Sequence, residues 1–168
     1  LLPKVPSNRI GPVVLVGGLD YGGERSQRFA LAGTIRSDRG IAKGGGWLNL
    51  PGTEKEVRAI AERVSANKGV PELITGSDAS RSRIQELAFP QAIHFATHGF
   101  VRQDSVKARS AGLVLSGANI DPDGEGSYNS EGYLYAEDIR ELDLFACDLV
   151  VLSACRTALS SNGSGQGE

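Results

Sequence analysis

The sequence predicts an α/β sandwich built on a mainly parallel sheet, and two observations carry that prediction. Apolar runs rich in β-branched residues recur at residues 12–18, 92–97 and 148–153, each reading as a strand buried on both faces. Stretches with helical periodicity separate them, and strands alternating with helices are the mark of a sheet flanked by helices.

The elements follow in order. Pro12-Val13-Val14-Leu15-Val16 closes on Gly17-Gly18 and forms the first strand. Residues 19–46 are rich in glycine and charge and read as a long excursion, with weak strand character at residues 29–31. Thr53 and Glu56 fit a capping box, with the hydroxyl serving first-turn amides and the carboxylate reaching back. Val57, Ile60, Ala61 and Val64 follow at i, i+3, i+4 and i+7, an amphipathic helix expected to end near Lys68-Gly69. A short strand at residues 72–75 precedes a second helix, capped by Ser77 or Asp78, with Ile84, Leu87 and Ala88 inward and Pro90 as its stop. The strand at residues 92–97 ends at His98-Gly99, and another is expected at residues 112–116. Residues 118–132 read as a mobile loop, and Tyr133-Leu134-Tyr135 leads into a short helix carrying Ile139 and Leu142. The last strand, residues 148–153, delivers Cys155 just beyond its end.

Composition excludes several classes. The chain has 168 residues, enough for one domain with a core, and its net charge is −2 with the basic residues scattered. No basic face suggests nucleic acid or a membrane surface, and no apolar run approaches the roughly 20 residues of a membrane helix. The first residues lack the apolar core of a signal peptide. The lack of any Met and the Ser/Gly-rich end are expected of a piece of a longer polypeptide. The two cysteines, Cys147 and Cys155, are separated by about 25 Å if the strand between them is extended, at ~3.3 Å per residue. A disulfide needs Cα atoms within about 7 Å, so the pair fits a reducing cytoplasm. With two histidines and this spacing a zinc site is not expected, and no cofactor is.

In parallel sheets, sites gather beyond the carboxyl ends of the strands, and His98 and Cys155 each stand at such an end. A cysteine thiolate and a nearby imidazole are the minimum for acyl transfer from an amide. The N–H groups of Gly99 and Cys155 are the candidate oxyanion donors, and glycine at 99 leaves the approach to its amide open. Spacing alone leaves a second reading of each residue, a buried inert cysteine and a structural histidine. His94, on the same face and deeper in the sheet, reads as a hydrogen-bonded core histidine.

The stretch Ala92-Ile93-His94-Phe95-Ala96-Thr97-His98-Gly99-Phe100 followed by Asp148-Leu149-Val150-Val151-Leu152-Ser153-Ala154-Cys155 resembles the CHAT domain, a family of caspase-like clan CD cysteine peptidases often joined to TPR repeats. Residues 50–57, 73–76, 112–116 and 132–139 agree with the family in the same order, so the resemblance covers roughly residues 12–168. It implies a caspase-like three-layer sandwich spanning residues 1–168, with residues 1–11 as a linker and the sheet incomplete at its C-terminal end. It also implies His98 as acid/base, Cys155 as nucleophile, a protein or peptide substrate, and a repeat region as regulator. The remainder of the same domain, beyond the cysteine loop, is expected to complete the cleft. The family commonly has Glu-Thr-Gly after the cysteine, whereas this chain has Arg156-Thr157-Ala158.

For the substrate pocket the resemblance points to Asp20, after the first strand, and to Ser153, two before the cysteine. Asp20 either sits at the base of a pocket for Lys or Arg or is a turn residue beside glycines. Arg156 either lowers the thiol pKa and contacts substrate or is a solvated loop charge. An acidic run at Asp121, Asp123 and Glu125 could reach the cleft. The alternative to a peptidase is a catalytically silent caspase-like scaffold. A nucleotide-binding reading of Gly17-Gly18 fails, because no helix follows closely.

Overall fold

A computed structural model describes residues 11–22, 46–101, 111–120 and 130–155, including all of these side chains except Val101 and Cys155. The expected strand at 29–31, nearly all of the linker, the acidic run Asp121, Asp123 and Glu125, and Arg156 lie outside these residues. The described elements are β1 (Val13–Leu19), α1 (Pro51–Ala66), β2 (Pro71–Gly76), α2 (Arg81–Gln85), β3 (Ala92–Val101), β4 (Ala111–Val114), β5 (Tyr133–Tyr135), α3 (Ala136–Glu141) and β6 (Leu149–Cys155). No described helix is long and apolar enough to cross a membrane.

The fold is α/β, but its sheet, of six strands among the described residues, is mixed rather than mainly parallel. β2, β1, β3 and β6 lie side by side and parallel, whereas β4 runs antiparallel to the end of β3 and β5 antiparallel to β4. Two departures from the expected elements produce this arm. β3 continues past Thr97 to Val101, so Gly99, Phe100 and Val101 offer a second ladder to Leu113, Gly112 and Ala111. The connection across residues 102–110 is too short for a parallel crossover, which takes about a dozen residues or more. Tyr133–Tyr135 is itself a strand, since its aromatic side chains pack on Phe100 in edge-on contacts.

Alternation on β1 divides the interior in two. Val14 and Val16 join Ile74, Ile84, Ile93 and Phe95 on one side, and Leu15 joins Val57, Ala61 and Ala96 beneath α1 on the other. α1 approaches β1 closely at Gly17, where an added Cβ would lie 2.7 Å from the Val57 Cγ1 and 3.0 Å from the Thr53 carbonyl.

The α1 terminus corrects the capping-box expectation. The helix starts at Pro51, whose fixed φ suits the first turn and whose missing N–H costs nothing there. The Thr53 hydroxyl donates to the Leu50 carbonyl at 2.7 Å and accepts the Gly18 N–H at 2.9 Å, which ties the helix to the end of β1. Glu56 turns to His94 instead, with Oε1 2.9 Å from Nε2. α1 ends at Ala66, and the left-handed residue after it is Lys68 (φ 62°) rather than Gly69. Likewise the cap of α2 is Ser80, whose hydroxyl accepts the Arg83 N–H at 3.1 Å, not Ser77 or Asp78.

His94 is therefore a hydrogen-bonded histidine packed between strand and helix. Replacing it with Gln should change any turnover by less than about twofold and stability by about 1 kcal/mol or less, the range of a partly exposed pair. A kinetic loss comparable to that of a His98 variant would contradict this placement.

Candidate active site

The parallel ladder between β3 and β6 runs from Ala92↔Leu149 to His98↔Cys155. The two residues singled out from strand ends are thus register partners, on neighbouring strands about 4.8 Å apart. β6 is started by the Asp148 N–H, which donates to the Gln91 carbonyl at 2.8 Å and sets that register.

His98 is only 1% exposed. Its ring lies between Tyr21 and Trp47, each with its centroid 5.3 Å away. Nε2 lies 2.7 Å from the Leu48 carbonyl oxygen, which can only accept, so the proton resides on Nε2 in this arrangement. Nδ1 is then the basic nitrogen, and it is buried with no hydrogen-bond partner among the described residues. Burial pushes the imidazole below its ordinary value of 6.5, and the Leu48 carbonyl opposes that shift. His98 is accordingly a neutral imidazole of fixed tautomer at neutral pH, ready to take a proton at Nδ1.

Sequence reasoning found no third group to orient His98. The Leu48 carbonyl does so, and a main-chain oxygen leaves no signature in residue type. The aromatic slot was equally illegible, since Trp47 adjoins a glycine-rich stretch and Tyr21 follows a turn.

Beneath the slot the Tyr21 hydroxyl donates to Thr97 Oγ1 at 2.8 Å, and Thr97 donates on to the Val114 carbonyl at 2.6 Å. Burial pushes the Tyr21 phenol up to about 12, against the effect of its hydrogen bonds with Thr97 and the His98 main chain. It is a neutral strut. Thr97→Val keeps the shape and removes the acceptor of a buried hydroxyl, at an expected cost of about 1–3 kcal/mol by urea denaturation. An unchanged midpoint would show that the strut is dispensable.

The sequence now has its family. The CHAT domain model matches residues 20–168. The chain belongs to the CHAT domain family. No curated protein and no solved structure matches it.

The remaining expected site residues of this CHAT domain are placed unequally. Gly99 follows His98 in β3, opposite Leu113. An added Cβ there would meet only ordinary contacts, 3.6 Å from the Ala154 Cβ and 3.8 Å from the Gly112 carbonyl, so packing does not demand glycine. Ser153 is exposed on β6, in register with Ala96. Asp20 is exposed, and its Oδ1 accepts the Gly22 N–H at 2.9 Å while its main chain bonds to Gly76 and Gly117. That is the geometry of a turn residue, and the fold places it directly before Tyr21 at the histidine slot.

Proposed function

We propose that this CHAT domain is a cysteine endopeptidase acting through a Cys155/His98 pair within a caspase-like three-layer sandwich. The observation that carries the proposal is the His98↔Cys155 register, joined to an imidazole whose Nε2–H is committed to Leu48 and whose Nδ1 is free to act as base. The Cys155 thiol gives its proton to His98 Nδ1, and the thiolate attacks the scissile carbonyl. The amides of Gly99 and Cys155 stabilise the oxyanion. His98 returns the proton to the leaving amine, and a thioester remains. Water then attacks the thioester with His98 as general base, which restores the thiol.

In this proposal a further strand of the same domain pairs with the outer edge of β6. Its support is that β6 pairs with β3 alone among the described residues and leaves Leu149 and Leu152 56% and 57% exposed. An attached repeat region regulates access, as the family likeness suggests, and Asp20, Ser153 and Arg156 are the pocket residues to vary first.

One observation favours a second reading, a silent scaffold: His98 is closed off from solvent by Trp47 and Tyr21. Electrophilic peptide probes applied to the full-length protein separate the two. Labelling that depends on the residue before the electrophile and vanishes in Cys155→Ala supports the peptidase. A folded wild type that no probe labels, with its natural partners present, supports the scaffold.

A further inference from the structure

The two rings that hold His98 come from segments far apart in sequence, and one residue, Asn119, ties both, Tyr21 through its main chain and Trp47 through its side chain. The Asn119 main-chain N–H donates to the Tyr21 carbonyl at 2.7 Å. Its side-chain Oδ1 accepts the Trp47 N–H at 2.7 Å, and its Nδ2 donates to the Trp47 carbonyl at 2.9 Å. The carboxamide thus meets the main chain of Trp47 as a neighbouring strand would, saturating a residue that otherwise has only a single bridge in the backbone ladder. The indole is held as well, with Nε1 donating to the Tyr133 hydroxyl at 3.1 Å and that hydroxyl donating to the Ala118 carbonyl at 3.2 Å. Leu48, whose carbonyl receives the His98 proton, is the next residue along the clamped segment.

We infer that Asn119 is a positioning residue for the reaction, setting the orientation and tautomer of His98 through Trp47, Leu48 and Tyr21 without touching the reacting atoms. The physical ground is economy of constraint. The segment from Gly46 to Leu50 has little regular secondary structure, so its place relative to β3 depends on side-chain bonds. Asn119 supplies two of them to one residue. Loss of the carboxamide frees the Leu48 carbonyl to move, and an imidazole without that acceptor populates its other tautomer, with the proton on Nδ1. That form offers no base toward Cys155.

The kinetic arm of the test rests on the peptidase reading, and a spectroscopic arm does not. Imidazole ¹⁵N shifts of the full-length protein, with the His98 resonance assigned by its loss in His98→Asn, report the tautomer whether or not the protein turns over. In the wild type His98 should show the Nε2–H form. In Asn119→Ala the Nδ1–H form should appear, and kcat on the best peptide substrate should fall about 10²-fold with KM within about threefold, the scale of a misplaced catalytic group. Asn119→Asp keeps the acceptor for the Trp47 N–H and loses the donor to its carbonyl, so it should fall between the two and serves if the Ala variant does not fold. A lowered melting point with the His98 tautomer unchanged in whichever variant folds would overturn the inference and make Asn119 a structural clamp only. A wild type without turnover defeats the peptidase reading, and the tautomer comparison still decides the role of Asn119.

Discussion

His98→Ala should lower kcat/KM on any peptide substrate by about 10³-fold or more, and Cys155→Ala should leave no turnover above background. General acid–base catalysis by a positioned side chain contributes about 10²–10⁴-fold, and here the same imidazole serves in both acylation and deacylation. The His94→Gln control separates chemistry from packing, because His94 lies in the same strand and its partner is Glu56. Turnover surviving in His98→Ala would remove this histidine from the mechanism, whatever its register.

The pH profile follows from the same burial. Because the slot holds the His98 pKa below 6.5, the base form persists into mildly acidic solution, and the acid limb of kcat/KM should lie below 6.5 rather than at it. Stability changes with a definite sign. Between the lowered folded value and 6.5, the unfolded chain binds a proton that the folded one does not. The contribution is therefore complete above 6.5 and is lost as pH falls through the folded value. The gap between urea midpoints at neutral and mildly acidic pH should be wider in the wild type than in His98→Asn. An equal acid sensitivity of both would assign the loss to other groups.

The second large effect concerns stability. Gly132→Ala should destabilise the domain by about 3 kcal/mol, at the upper end of overpacking penalties. An added Cβ at Gly132 would overlap the Ala118 Cα and approach its nitrogen to 2.7 Å and its Cβ to 3.0 Å. Both residues are buried, and the obstruction is main chain, which no rotamer change relieves. The displaced residue adjoins Asn119, so the damage should reach the Trp47 clamp. Gly52→Ala is the matched control in the first turn of α1, where an added Cβ meets nothing within 4 Å. It should be neutral or stabilising by up to about 1 kcal/mol. Denaturation that ranks the two variants equally would refute the close-approach argument.

By itself the sequence determined the alternation of β1, α1, β2, α2, β3 and β6, because the period of burial along a chain is a local property of strands and helices. It also singled out His98 and Cys155, and the motifs around them carried the family. The expected strand end holds for Cys155, whereas His98 closes the parallel ladder with β6 inside a β3 that runs on to Val101. Tertiary structure alone decided the antiparallel β4–β5 arm, since the end of β3 and the aromatic run at Tyr133 acquire their pairing only when β4 lies between them. It also decided how Thr53 and Glu56 are used. Their local cap competed with Gly18 and His94, partners of comparable strength that are distant in sequence. The site shows the same division most clearly. The imidazole was legible from residue type, whereas Leu48 acts through a carbonyl that every residue possesses, and Trp47, Tyr21 and Asn119 meet only when the chain closes on itself.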